Sequence, residues 1–387
     1  MQLSVIILNY NVRYFLELCV LSVESALKNI DSEIIVVDNN SQDGSCEMIK
    51  RHFPNVKLIQ NNQNLGFPKG NNIGVAQAKG DYICILNPDT VVAEDTFEKV
   101  LAFAKSKNDL GIIGVKLIDG TGNFLPESKR GIPTPWVAFT KITGLYKLFP
   151  KSTLFNKYYA QHVSENQTGQ VEILVGAFMF LKKDLYEAVG GFDENCFMYS
   201  DDIDLSYMVL QKGKSNYYFH ETAVIHYKGE STSKDAVYMK RFQEAMEFFY
   251  KKHFQVSLFF SVFMKIGIVF FSLIKRIQGR TKTRIPLDNY LLISASETLA
   301  KIIASVVQKK VDFLDWEAEK EVNLQSNSIR NELQIILDNE YVSFKECIEI
   351  LERYRNKGVI FRIIPKGANF IIGSDSPNDR GEIVKIK

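Results

Sequence analysis

Three aspartates crowd into four positions, Asp201, Asp202 and Asp204, just ahead of a helical pattern carried by Leu205, Met208, Val209 and Lys212. Carboxylates in a first helical turn are favoured by the backbone dipole, and capping accounts for one or two of them. A third exceeds what a cap needs. A hydroxyl that attacks a carbon centre must lose its proton as the bond forms, so a carboxylate within hydrogen-bond reach would serve as general base. A further carboxylate, Asp89, stands in Asn87-Pro88-Asp89-Thr90, directly after the apolar run Tyr82-Ile-Cys-Ile-Leu86. Asn-Pro-Asp is ordinary turn chemistry. A hard divalent cation also takes oxygen ligands and shares them with phosphate, so one Asp and a diphosphate could complete its shell. His226 follows a second apolar run, Ala223-Val-Ile225; taken alone, it reads as a packed or hydrogen-bonded residue.

These residues need a scaffold that collects strand ends. Leu3 to Leu8 runs into Asn9-Tyr10-Asn11, Glu33 to Val37 into Asp38-Asn39-Asn40-Ser41, and Val56 to Gln60 into Asn61-Asn62. Helical patterns separate them, from Tyr14 to Leu27 and from Asp43-Gly44-Ser45 onward. Strand and helix alternating in units of this length predict a doubly wound parallel α/β sheet with its ligands at the carboxyl edge. Asp38 at such an edge would hold a ribose or a base edge, or cap the loop that follows. Gly66, Gly70 and Gly74 lie in Asn64-Leu-Gly-Phe-Pro-Lys-Gly-Asn-Asn-Ile-Gly74, where backbone would approach a ligand and Lys69 would meet a phosphate. The spacing is wider than a dinucleotide fingerprint, and no P-loop lysine-serine pair occurs.

Seven stretches in order, Val5 to Asn11, Val36 to Ser45, Asn64 to Phe67, Leu86 to Thr90, Gly190 to Glu194, Tyr199 to Leu205 and Ile225 to Thr232, resemble the inverting glycosyltransferases of family 2, within their rhamnosyltransferase-like branch of bacterial surface-polysaccharide enzymes. The resemblance covers roughly the first 250 residues. It implies a GT-A fold, a mixed α/β sheet that binds a nucleoside-diphosphate sugar, and a divalent cation, Mg or Mn. Asn9, Tyr10, Asn11 and Asp38 would belong to the nucleotide pocket and Asn64 and Gly66 to its floor. Asp89 matches the last acid of the family's metal-binding D-x-D, with Asn87 in place of the first acid, and His226 would meet the metal or the diphosphate. Pro68 and Lys69 depart from the small residues usual after Gly-Phe. By likeness to the family's Glu-Asp pair, Asp202 is the base and Asp201 its neighbour.

The implied mechanism is one displacement that inverts the anomeric centre, with a cation held by Asp89 neutralising the leaving group while Asp202 takes the acceptor proton. Arg130, in Glu127-Ser-Lys-Arg130, is a cation for the diphosphate or the acceptor, or a loop cation only. Trp136, Phe192, Asp193 and Glu194 would form an acceptor subsite. Two rivals are a sugar-phosphate nucleotidyltransferase, opposed by the lack of glycine in Asn9-Tyr-Asn-Val-Arg13, and a non-catalytic nucleotide or glycan scaffold, opposed by the retained Asp89, Asp202 and His226.

A chain of 387 residues with 46% hydrophobic content predicts two or three domains with real cores. A net charge of +2 argues against nucleic acid as a partner. Five cysteines without close pairs or metal spacing fit a reducing compartment. The first strand begins almost at Met1 with no signal peptide ahead of it, so a cytoplasmic enzyme is expected, peripheral on the inner membrane and compatible with an oligomer. The expected organisation is a catalytic domain over 1–250, an apolar and basic linker over 251–284, and a small Rossmann-like α/β domain over 285–387. Within the linker, Phe254 to Ile274 carries a narrow polar stripe of Ser257, Ser261 and Lys265 and reads as a helix in the membrane interface, with a true span and a packing helix as alternatives. The last domain lacks phosphate-binding glycines at Ser294-Ala-Ser296 and reads as a docking or regulatory module. Its strands are expected at Tyr290 to Ser294, Leu333 to Leu337, Val359 to Ile364 and Phe370 to Ile372, and its helices at Glu297 to Lys309 and Ser343 to Arg355.

Overall fold

The computed structural model describes residues 1–149, 152, 154–197, 199–228, 236–254, 289–318, 333–376 and 381–386. The expected apolar linker helix falls within 255–288, outside the described residues. Eleven strands precede that gap: β1 (Leu3–Asn9), β2 (Ser32–Asp38), β3 (Lys57–Gln60), β4 (Tyr82–Leu86), β5 (Thr90–Val92), β6 (Leu110–Ile118), β7 (Lys129–Arg130), β8 (Gly169–Val171), β9 (Ile173–Leu174), β10 (Phe178–Lys182) and β11 (Ser215–His226). Nine of them form one sheet in the order β3-β2-β1-β4-β10-β6-β11-β5, with β8 paired to β11, while β7 and β9 make a separate ribbon. Strands β1 to β4 are mutually parallel and β11 is parallel to β6, but β10 is antiparallel to both β4 and β6, and β5 to β11. The sheet is therefore mixed, as a GT-A fold requires, and the simple parallel alternation read from the first four strands stops at β4.

Helices cover both faces, which is why β1 is buried at every position instead of alternating. On one face Leu3, Val5 and Ile7 pack with Leu16, Cys19, Val20 and Val23 of α1 (Arg13–Leu27) and with Met48 and Ile49 of α2 (Ser45–His52). On the other, Ile6 and Leu8 pack with Val75 of α3 (Phe67–Ala76). Two of the three glycines of the α3 region, Gly70 and Gly74, serve this packing, and Gly66 makes room for Phe197. A Cβ on Gly70 would stand 2.4 Å from Leu8 Cδ1, one on Gly74 2.6 Å from Ile6 Cγ2, and one on Gly66, at φ +82°, 2.8 Å from Phe197. Spacing of four puts them on one helical face, so Gly70 and Gly74 bring α3 down onto β1.

In the rest of this part, α4 (Thr96–Lys105), α5 (Pro135–Ile142), α6 (Leu145–Leu148), α7 (Lys183–Ala188), α8 (Asp201–Gln211) and α9 (Ala236–His253) follow in order. A second, six-stranded sheet has the order β13-β12-β14-β15-β16-β17, built from β12 (Asn289–Ser294), β13 (Val311–Asp315), β14 (Leu333–Asp338), β15 (Val359–Ile364), β16 (Phe370–Gly373) and β17 (Glu382–Lys385), with α10 (Glu297–Val307) and α11 (Phe344–Tyr354). Its first four strands are parallel. Strands β13 and β17 were not among those expected. Both are sheet edges only half covered, so their apolar pattern is weak.

One apolar core joins the two sheets: Phe15, Leu18, Val91, Ile118, Ile225 and Tyr227 pack in the same cluster as Phe344, Cys347, Ile348, Leu351 and Phe370. The Glu94 carboxylate, just past β5, accepts hydrogen bonds from the backbone N–H of Phe344 (2.8 Å) and Lys345 (2.9 Å), so it caps α11 from across the interface. Lys345 reaches Asp95 at 2.7 Å and Lys116 reaches Glu352 at 2.7 Å. Gly122, at φ +80°, leaves no room for a side chain, since a Cβ would lie 2.0 Å from the Leu351 carbonyl oxygen. Replacing Glu94 by Ala strands the partly buried Phe344 amide and leaves the exposed Lys345 amide to water, and unfolding in denaturant should show a loss of about 1–2 kcal/mol.

Candidate active site

Because β1, β2, β4, β6 and β11 all run the same way, their carboxyl ends meet at one edge, and antiparallel β10 starts at that edge. Asn9 ends β1 and is fully buried; its Nδ2 donates to Asp38 Oδ1 (2.7 Å) and to Ser41 Oγ (3.0 Å), while its Oδ1 has no hydrogen-bond partner among the described residues. Asp38 ends β2, buried, with its second oxygen taking the Ser41 N–H at 2.8 Å. One carboxylate oxygen thus holds Asn9 and the other fixes the loop at 39–42. Asn11, at φ 55°, donates its N–H to Ser41 Oγ and accepts from the Gln42 N–H. Asn39 Nδ2 reaches Asn64 Oδ1 (3.3 Å) and the Gly66 carbonyl (3.1 Å), tying the α3 entry to the same loop. Asn39 and Ser41 were legible in the sequence as loop residues, but not as the hub that holds Asn9, Asn11, Asp38 and Asn64 together. Tyr10 is exposed beside them.

Asn87 and Asp89 follow β4, and His226 ends β11. The pairing of β5 with β11 sets His226 opposite Thr90. His226 Nε2 lies 3.4 Å from Asp89 Oδ1 and 3.3 Å from Asn87 Nδ2, with both Asp89 and His226 buried. Asn87 Oδ1 and His226 Nδ1 are buried without a partner among the described residues. Buried polar atoms are normally satisfied, so these two hold hydrogen-bonding capacity that a water, an ion or a ligand would take up.

The three aspartates of α8 go to three different places. Asp204 is held by Lys252 (2.8 Å) and His253 (2.5 Å) at the end of α9, a structural tether. Asp202 Oδ2 accepts from Arg130 (2.5 Å) and from the Gly176 N–H (3.1 Å), and no hydrogen bond to its Oδ1 occurs among the described residues. Its side chain keeps 12% of its surface open, enough for a small hydroxyl to reach. Asp201 is buried, and its pKa is raised, first by burial and then by the negative charge of Asp202 beside it. None of the three bonds as a simple cap, and Ser200, the N-cap residue, makes no side-chain capping bond.

The segment before β10 links the two groups of acids. The Asn87 N–H bonds to the Ala177 carbonyl at 3.0 Å, and the next residue back, Gly176, donates to Asp202. From the other side, Arg130 on β7 reaches Asp202, and Glu127, three residues earlier, pairs with Lys228 just past His226. Burial works to raise the Glu127 carboxyl and the Lys228 ammonium more than offsets it, leaving it below the usual range. Tyr199 (φ 83°), Lys228 (62°) and Asn40 (65°) adopt left-handed backbone around this edge. For a bulky residue such as Tyr199 that conformation costs on the order of 1–3 kcal/mol and persists only where the surroundings enforce it.

The remaining sequence-predicted residues are spread more widely. Lys69 faces Glu194 at 3.9 Å, Glu194 accepts from Asn72, and Asp193 accepts from Lys252. Phe192 is 2% exposed and packs edge-on to Phe67 and Tyr186, so its ring presents no free face to a sugar. Trp136 lies on α5, exposed, apart from these residues' contacts. Gly176, Glu127 and Lys228 carry no motif signal that singles them out; only the strand order brings them here.

Residues 4–190 match the family model described as glycosyl transferase family 2. The chain carries a family 2 glycosyltransferase domain. Rhamnosyltransferases are among the proteins it resembles. It is 25% identical over 213 residues to an N-acetylglucosaminyl-diphospho-decaprenol L-rhamnosyltransferase of Mycobacterium tuberculosis, spanning 52% of this chain and 68% of that protein. It is 26% identical over 220 residues to the rhamnosyltransferase WbbL of Escherichia coli, spanning 53% of this chain and 78% of that protein. A solved structure, the mannosyltransferase PcManGT from Pyrobaculum calidifontis in complex with GDP-Man and Mn2+, aligns with a TM-score of 0.47 and 16% identity over 72% of this chain and 76% of that one.

A carboxyl whose folded pKa is raised binds its proton more tightly in the native state, so from the ordinary carboxylate pKa of about 3.9 upward stability falls as pH climbs towards the folded value. Asp201→Asn removes that cost. The variant should be more stable than the parent at pH 8, by about 1 kcal/mol or more, and the advantage should vanish below about pH 4; thermal unfolding at both pH values measures it.

Proposed function

We propose that this glycosyltransferase moves a sugar, with rhamnose or another deoxyhexose as the donor class, from a nucleoside diphosphate to a hydroxyl of a glycan or lipid-linked acceptor in surface-polysaccharide synthesis, with inversion. The observation that carries this reading is the short bridge at 176–177, which hydrogen-bonds Asn87 on one side and Asp202 on the other. A cation-and-diphosphate side and a proton-accepting side then flank one segment of backbone. Rhamnose comes from the names of the two relatives, and the acceptor class from that of the mycobacterial one.

Asp89 Oδ1, His226 Nε2 and the Asn87 side chain offer a partial donor set for a divalent cation, Mg or Mn. Among the described residues no cluster of three or more His, Cys, Asp or Glu ligands occurs, so the diphosphate oxygens would complete the shell. When bound, the cation neutralises the charge that builds on the leaving diphosphate. Asn9, Asn11, Asp38 and the 39–42 loop form the wall on which the base and ribose would rest. Asp202 takes the acceptor proton, and Arg130 fixes the carboxylate through one oxygen so that the other addresses the acceptor. Arg130 is then a positioning residue for the base and not a diphosphate clamp.

Among the described residues no helix is long and apolar enough to cross a membrane. Peripheral attachment on the cytoplasmic face, with 251–284 as linker between a catalytic domain and a bracing α/β domain, completes the proposal.

Incubation with a panel of nucleotide sugars and acceptors should release a nucleoside diphosphate; pyrophosphate instead would point to nucleotidyl transfer, and binding without turnover to a scaffold. Asp202→Asn should lower kcat about 10²- to 10⁴-fold with donor affinity kept. Saturating chelator should abolish turnover, and Mn2+ or Mg2+ should restore it; turnover indifferent to chelator would remove the cation from the scheme.

A further inference from the structure

The stretch from 128 to 164 contains no Asp or Glu, although it carries Lys129, Arg130, Lys141, Lys147, Lys151 and Lys157. Lys129 is buried and Arg130 is paired with Asp202, so Lys141, Lys147 and Lys157 are the described cations that this stretch can turn outward. The same stretch exposes apolar side chains: Leu148 is 71% exposed, Leu154 63%, Phe149 51% and Trp136 47%. These side chains sit together. Trp136 stacks obliquely on Phe139 and Phe155, Phe149 on Phe155, and the Trp136 indole donates to the Leu154 carbonyl at 2.9 Å. A monomer in water has no use for adjacent exposed leucines and aromatics, whereas a basic rim around an apolar and aromatic centre matches an anionic bilayer interface.

The patch is anchored to the strand that bears Arg130. The Gly131 N–H bonds to the Tyr158 carbonyl at 3.1 Å, and Lys129 Nζ reaches the carbonyls of Tyr159 and Ala160. Tyr250 of α9 donates to the Pro133 carbonyl and holds the other end. We infer that α5, α6 and the aromatic cluster at Phe155 dock on the surface of an anionic lipid bilayer, with Trp136, Leu148, Phe149 and Leu154 entering the interface and Lys141, Lys147 and Lys157 on the headgroups. This surface is separate from the 254–274 stretch, and it would set a lipid-borne acceptor beside Arg130 and Asp202. It goes beyond the transfer reading and does not depend on it.

The chain has two tryptophans, Trp136 in the patch and Trp316, 4% exposed, in the core. Trp316→Phe in the full chain makes Trp136 the reporter; if that variant does not fold, the unaltered chain read against Trp136→Phe gives the same signal. With phosphatidylglycerol vesicles, Trp136 emission should shift to the blue and be quenched by doxyl-labelled lipid, and Leu148→Glu with Leu154→Glu should weaken vesicle affinity about tenfold or more. Binding should weaken about as much on phosphatidylcholine alone. Co-flotation with an unshifted, unquenched Trp136 would show that another segment holds the membrane and would overturn the proposal. Equal affinity for neutral vesicles, or no binding, would do the same. A blue shift without lipid that grows with protein concentration would assign the patch to a second copy of the chain.

Discussion

Everything at this edge turns on β10 lying antiparallel between β4 and β6. Running against its neighbours, β10 brings its first residues, not its last, to the edge where the parallel strands end. Gly176 and Ala177 therefore arrive beside Asn87, and the backbone there spends one carbonyl on Asn87 and one N–H on Asp202. Both polar groups belong to the backbone of 176 and 177, so among substitutions there only proline at 176, which lacks the N–H, removes one of them. The spacing between the two groups of acids is set by the turn at 176–177, which leads directly into β10.

Around that fixed bridge, the charged residues are arranged so that each carboxylate has a distinct fate. Asp204 is pinned by two residues of α9, Asp202 by one guanidinium and one amide, and Asp89 by an imidazole at ion-pair distance. Asp201 is left without a cation in direct contact and becomes the one that holds its proton more tightly. Environment, not residue type, separates four identical side chains into tether, oriented carboxylate, imidazole partner and reluctant acid.

Much of this was legible beforehand because buried parallel strands announce themselves as unbroken apolar runs. β1, β2 and β4 and the polar residues at their ends were readable, as were α1, α8 and most of the second sheet, including the helix that opens at Ser343, whose capping box with Glu346 the structure adds. Hidden from the sequence was whatever depends on strand order. The apolar string Phe178-Met-Phe-Leu could pair in either direction, and only tertiary packing sets it antiparallel. The same holds for the Arg130 contact with Asp202, which links residues 72 apart. The glycines at 66, 70 and 74 were read as an approach to ligand, yet at least the last two satisfy the close fit of α3 on β1. Both readings demand glycine, and sequence spacing cannot separate them.

Glu94 and its partner amides are 250 residues apart in the chain. A contact of that sequence separation closes late, since a long loop must be ordered before it is rewarded. During synthesis, the strand after Asp89 emerges long before the helix that braces it. The edge that holds Asp89 and His226 thus reaches its final packing only once the chain through α11 has left the ribosome, and a product terminated before Phe344 would carry Asp89 and His226 on an unfinished frame.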